Sequence, residues 1–354
     1  MIRIAFITLM VVCTSLNNSL FSQTSVNVDN QRFKYYIRSL PTQIMDSRSF
    51  YYSVNFAVPL DVRRFLDERL LAENVIIEGQ RFTDSPQRGD AAVSIIMSPV
   101  NFETATVKER YVEEKDSRGK VTGRTFYYWQ EVVYTFESST TISQNNKEYL
   151  RYSAISRSKK YTFKSPEFSR QREASRFYID NRQMLLAELT RERAEETVDL
   201  VSKKLTNTFG FPVTAEYGLI KTINEKKHPE HYQLREMSLS IEKKMRALDG
   251  TYPLTEADME KEIEYFKSLP VKYADQTPKL DARLRYVAYY NLARIYMYID
   301  QPENTKEWAD LLTENGVDKK DGETLIKDAR TISDRFIQSD IYTREFDPDT
   351  LFSE

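Results

Sequence analysis

The only two histidines of the chain, His228 and His231, lie in one seven-residue stretch, KKHPEHY, with Glu230 between them. Imidazole and carboxylate are the side chains of a metal site or of a general base. The spacing H-x-x-H lets two imidazoles reach one ion, but a closed zinc site takes four ligands, and no third histidine exists to help close it. Pro229 separates the pair and marks a linker. The expectation is a turn between domains with Glu230 near a helix start, and no metal is assigned. A Ser-His-Asp triad would have to draw on one of the same two histidines. There is no G-x-S-x-G elbow to present a nucleophile. Nine glycines form neither G-x-G-x-x-G nor G-x4-G-K-S/T, so no Gly-rich loop is available to cradle phosphate. With 53 acidic residues, a carboxylate pair of the glycosidase type is a spatial question that spacing does not address. No catalytic residue and no cofactor is assigned, and the chain reads as a non-enzyme.

Charge and aromatic side chains offer binding chemistry instead. Residues 151–176 carry eight basic and two acidic residues in a chain of net charge −2. A solvated face is the simplest reading of such a run. The other is docking on an anionic partner, lipid headgroup or acidic glycan. Lys159, Lys160, Lys164, Arg170 and Arg172 are the candidates there. In FYYWQEVVY, alternation puts Phe126, Tyr128, Val132 and Tyr134 on one strand face and Tyr127, Trp129 and Val133 on the other. The second face is either another core layer or a platform for glycan or protein, and Trp129 is its candidate contact. Trp308 joins the candidates from a second aromatic stretch, residues 286–312.

These residues need elements to position them. Residues 23–30 are polar and read as a disordered start. Residues 50–58 form an aromatic, β-branched strand, and Asp61 is the expected N-cap of the next helix. AAVSIIM reads as a buried strand. Turns at 115–123 and 143–148 divide the next long strands into a β-meander. A long helix carries Leu186, Leu189, Ala194, Val198, Val201, Leu205 and Phe209, and ends at Gly210 and Pro212. A strand over 217–223 completes the sheet. After His228 the pattern is helical, over about 231–248, 255–268, 279–299, 303–314 and 322–338, with short connections that favour antiparallel neighbours. The acidic tail from 340 is expected to fray. The fold class is an α+β domain over 33–224, then an all-α helical-hairpin domain over 228–339 and the tail 340–354.

The N-terminus reads as a secretory signal peptide over 1–22: Arg3, then a predominantly apolar run of nine residues from Ile4 to Val12, too short to span a bilayer. Cleavage after Ser22 would start the mature chain at Gln23 and leave it without cysteine. The alternative is a lipobox at Cys13, the only cysteine, which would anchor the protein by acyl chains.

Tyr289, Leu292, Ala293 and Tyr296 match the first helix of a tetratricopeptide repeat, with Pro302 in the turn and Trp308, Ala309 and Leu312 on the second helix. The stretch resembles a degenerate repeat of that family. Thr305 stands where a small residue is expected, and no proline closes the unit. LFSQ and the segment DKKDGETLIKDARTISDRF resemble exported Bacteroidetes envelope proteins. The order strand–helix–AAVSIIM–meander–long helix–FGFPV resembles the α/β envelope domains related to the N-terminal domain of TolB. These resemblances imply a helical scaffold, exported to the periplasm or outer membrane, that binds an envelope protein. A glycan- or lipid-binding module is the competing reading. Nucleic acid is not an expected partner.

Overall fold

A computed structural model describes residues 26–45, 51–85, 89–274 and 278–351. The signal-peptide reading of 1–22, Cys13 and the start at Gln23 lie outside these residues. The chain divides into two compact units. One combines the described part of residues 1–39 with Val213–Glu354, and the other is Leu40–Pro212.

In the first unit β1 (Val28–Arg38) pairs antiparallel with β10 (Val213–Ile223), strands being numbered along the whole chain. Alternation turns Phe33, Tyr35 and Ile37 inward. Helices come next: α4 (His231–Arg246), α5 (Glu260–Lys272), α6 (Pro278–Tyr298), α7 (Pro302–Glu314), α8 (Lys319–Ser339) and the short α9 (Pro348–Leu351). One core unites the inner strand face with Leu234, Met237 and Ile241 of α4, Phe266 of α5, Leu292 and Ala293 of α6, Leu312 of α7 and Ala329 of α8. The helical expectation therefore holds. The start of β1 replaces the expected disorder at residues 28–30. The strand 213–223 does not complete the larger sheet. The apolar stripe of β1 and β10 matches the helical faces and is buried there.

Two further expectations change in this unit. Helix α8 begins before the expected residue 322, so that Gly322 lies within its first turns, where a Cβ would lie 2.8 Å from the Ala309 carbonyl oxygen of α7. The tail does not fray at its start. Ile341 and Phe346 are buried, and Arg344 Nε donates to Asp300 Oδ1 at 2.6 Å. Asp300 ends α6 in the left-handed region at φ 57°. Its other oxygen accepts from the Arg344 backbone N–H at 2.6 Å.

The second unit holds β2 (Tyr51–Ala57), α1 (Leu60–Arg63), α2 (Glu68–Glu73), β3 (Arg81–Phe82), β4 (Ala91–Met97), β5 (Asn101–Lys115), β6 (Val121–Thr135), β7 (Ser138–Gln144), β8 (Lys147–Ile155), β9 (Lys160–Lys164) and α3 (Gln171–Phe209). Asp67, not Asp61, caps a helix here, its side chain accepting from the Leu70 N–H at 3.1 Å. The expected single meander is shared between two sheets. One has the order β3-β2-β4-β7-β8, and the other β5-β6-β9. Asn145 and Asn146 turn β7 into β8 with both residues left-handed, the geometry of a two-residue hairpin turn. Helix α3 buries Leu189, Val198, Val201, Leu205 and Phe209 against Val93, Ile95, Tyr134 and Phe136. At its end Gly210 is extended rather than left-handed. Glycine is required by space there, because a Cβ would lie 2.8 Å from the carbonyl oxygens of Glu78 and Thr206.

Candidate interaction surface

Strands β5 and β6 form a hairpin with 15 residues in each strand, longer than the rest of its sheet. β9 pairs with β6 only from Thr135 to Glu131, beyond which there is a single bridge from Tyr128 to Phe168. The distal half is thus a two-stranded ribbon. Its turn is set by Asp116, whose Oδ1 accepts from the N–H groups of Arg118 and Lys120 at 2.9 and 3.0 Å, with Gly119 at φ 80°.

The Phe126–Tyr134 face of the FYYWQEVVY strand is core at one end of the ribbon and exposed at the other. At the base Val132 and Tyr134 are buried, and Phe102 packs edge-on against Tyr178 of α3 at 5.5 Å. Further out, the same face emerges into solvent. Phe126 is 40% exposed, and Tyr111, directly opposite it on β5, is 51% exposed. Tyr111, Phe126 and Tyr128 form a ladder with ring centroids 5.9 and 6.4 Å apart. The Arg124 guanidinium lies 4.7 Å from the Tyr111 ring.

The opposite face is laced with charge. Arg110 lies over Tyr127 at 4.7 Å and Lys164 over Trp129 at 4.2 Å. Both cations also reach Glu167, at 2.7 and 3.0 Å. Hydrogen bonds from Arg110 and then Lys164 pull the Glu167 carboxyl down to about 2. The Trp129 indole N–H finds no acceptor among the described residues. Arg110 and Tyr111 carry no sequence signal beyond strand alternation, and the hairpin register brings them to the aromatic strand, while Glu167 comes from the segment between β9 and α3.

The other candidates are spread out. Lys159 pairs with Glu196 at 2.7 Å, Lys160 with Glu103 at 2.7 Å and Arg170 with Glu173 at 3.9 Å. Glu103 and Glu196 come from β5 and α3, so folding supplies counter-charge that the linear run lacks. Arg172 is exposed in the first turn of α3. Trp308 belongs to the other unit. It stacks on Tyr289 at 6.1 Å and is half-buried against the helical core.

His228 and His231 are buried, each with local backbone partners. His228 Nδ1 accepts from the Glu230 N–H at 3.1 Å, and His231 Nδ1 lies 2.9 Å from the Ile223 carbonyl oxygen. Burial lowers the His228 pKa. Glu230 turns to α5 and its end, accepting from Tyr265 at 2.8 Å, Lys272 at 2.5 Å and Tyr273 at 2.9 Å. Burial pushes this carboxyl up, and the three donors more than offset it, so its pKa ends below the usual carboxylate range. Among the described residues no three His, Cys, Asp or Glu side chains are grouped to hold a metal ion. Among them, too, no helix is long and apolar enough to cross a membrane.

No family model matches the chain, and no curated protein matches it. A solved structure that does match is the rare lipoprotein B from Shewanella oneidensis, at 15% identity, covering 44% of this chain and 97% of that one with a TM-score of 0.21.

Proposed function

We propose that this protein is a non-enzymatic scaffold or accessory subunit of the cell envelope that docks on another envelope protein through the β5–β6 ribbon. The observation that carries the reading is the ladder Tyr111–Phe126–Tyr128, exposed at Tyr111 and Phe126 and braced by Arg124, on a ribbon whose base is fixed in the core. Rigid, solvent-facing aromatic and arginine side chains lose little conformational entropy on binding and are the usual anchors of protein interfaces. The helical hairpins, which resemble a degenerate tetratricopeptide repeat, support a scaffold role. The resemblance of the N-terminal sequence to exported proteins supports a periplasmic or outer-membrane site, with or without an acyl anchor at Cys13. A glycan or lipid module is disfavoured by the ion pairs that engage Lys159, Lys160 and Lys164 and by the Lys164 ammonium over Trp129.

The test is crosslinking in the native envelope and then affinity purification of wild type and of a Tyr111→Ser/Phe126→Ser variant. A partner protein captured by the wild type and lost from an equally stable variant is the expected result. Equal capture by both excludes the ribbon as the docking surface.

A further inference from the structure

The pair β1–β10 has an edge that is covered along only part of its length. In an antiparallel pair, alternate residues of a strand turn their N–H and C=O groups away from the partner strand. On β10 two such residues are met by α6. Lys221 N–H donates to Asn291 Oδ1 at 2.8 Å, and Asn291 Nδ2 donates to the Lys221 carbonyl at 2.8 Å. The Tyr298 hydroxyl accepts from the Leu219 N–H at 2.9 Å and lies 3.3 Å from the Leu219 carbonyl oxygen. The register with β1 runs without a bulge from Val28–Ile223 to Arg38–Val213, so the next outward residues are Tyr217 and Ala215. Nothing among the described residues takes their outward backbone groups. Residues 215–217 are exposed on both faces, and Tyr217 is 77% exposed.

On the face that carries Tyr217 the surroundings of this free edge are cationic, while Glu216 belongs to the opposite face. A cleft of about 610 Å³ beside it is lined by Arg32, Lys34, Arg246, Tyr217 and Leu219, among others. Arg246 is paired with Glu242 at 2.7 Å. Arg32 and Lys34 have no ion pair among the described residues, and Lys34 rests over the Tyr36 ring at 5.1 Å. An extended segment laid along Tyr217 and Ala215 would complete the backbone bonding, and alternate side chains of it would share a sheet face with Lys34 and Arg32, one strand away across β10 and within reach of those long cationic side chains.

We infer that the 213–217 edge of β10 is a strand-addition site for an acidic, extended segment of a partner protein. The site is separate from the ribbon. Loss of one surface therefore leaves the other to be judged on its own.

The probe is an N-acetylated octapeptide alternating valine and glutamate, with a valine–lysine octapeptide as control, its binding to the full chain read by fluorescence anisotropy. The acidic peptide should bind, weaken as salt screens the cations, and weaken further with Arg32→Glu/Lys34→Glu. Ala215→Pro should abolish binding. The Ala215 N–H points away from β1, so proline there removes a donor the fold does not use. Tyr111→Ser/Phe126→Ser should bind the peptide as wild type does. Equal binding of both peptides, no binding of the acidic one, or full binding by a folded Ala215→Pro protein overturns the inference. So does a wild-type dimer that Ala215→Pro converts to monomer, because the edge would then belong to a second copy.

Discussion

Asn291 stands in for a strand beside Lys221. Its amide oxygen accepts from the Lys221 N–H and its amide nitrogen donates to the Lys221 carbonyl, both at 2.8 Å, as a neighbouring strand would. The side chain is fully buried, so both backbone groups depend on it. Asn291→Ala should cost roughly 2–4 kcal/mol, from two lost bonds that leave buried backbone groups unsatisfied. Asn291→Asp retains one bond, loses the donor to the carbonyl and buries a charge. It should therefore be more damaging at pH 8 than at pH 4. Chemical denaturation at the two pH values checks this, and an aspartate variant as stable as wild type at pH 8 would contradict it.

Ala293 is fully buried in the core that joins α6 to its neighbours. Ala293→Glu places a carboxylate in that core, at a cost of several kcal/mol against a typical reserve of about 5–15 kcal/mol. Unit 213–354 and its strand β1 should lose cooperative melting together, because β1 and β10 share that core. The unit Leu40–Pro212 should keep its own transition. Limited proteolysis should then open the chain near residues 39–40 and 212–213. Cleavage near residue 225 that leaves β10 attached to a protected fragment would contradict a division at those two points.

The helices are legible in the sequence because each carries an apolar stripe at helical spacing between clear breakers. Tyr289, Ala293, Tyr296 and Leu312 are seam residues of that kind. The allocation of β1 and β10 is not legible. A strand alternating Phe33, Tyr35 and Ile37 with polar residues suits a sheet or a helical face equally well, and only the tertiary partner decides. The basic run is visible as a run, but its net effect is not. Glu103 and Glu196 lie far away in sequence and pair with Lys160 and Lys159 only in three dimensions. The tail misleads for a related reason: its acidic composition hides Ile341, Arg344 and Phe346, which hold it to the helices.

Gly322 sets two effects against each other. Replacing an interior helical glycine by alanine ordinarily gains up to about 1 kcal/mol. Here a Cβ would press on the Ala309 carbonyl and the Thr313 side chain of α7, and such overpacking costs about 1–3 kcal/mol. Gly322→Ala should therefore destabilise the protein, and Gly322→Val more so. Gly119, at the ribbon tip with open space around it and φ 80°, should lose only about 1 kcal/mol on change to alanine, from backbone strain alone. Thermal melts in which Gly322→Ala and Gly322→Val are both as stable as wild type would reject the close approach of α7 and α8.

Glu345 is 2% exposed, and neither of its carboxyl oxygens has a hydrogen-bond partner among the described residues. Burial raises its pKa most, and the nearby Asp300 and Asp249 carboxylates add to this; the nearby Gly250 backbone and then Arg344, engaged by Asp300, pull the other way, leaving the group at about 7. An unfolded glutamate titrates near 4.3. The folded state thus holds the proton more tightly. The stabilisation from this group is fully present below about pH 4.3 and is lost progressively as the pH rises through about 7. A shift of this size corresponds to roughly 3 kcal/mol between pH 4 and pH 9. Glu345→Gln keeps the shape and removes the titration. Its unfolding midpoint should match wild type near pH 4.5 and exceed it at pH 8–9. The gain should be read in the unit that holds Ile341 and Phe346. If denaturant titrations of wild type and Glu345→Gln run parallel from pH 4.5 to pH 9, the carboxyl is ionised in the fold and the tail is not held around a protonated Glu345.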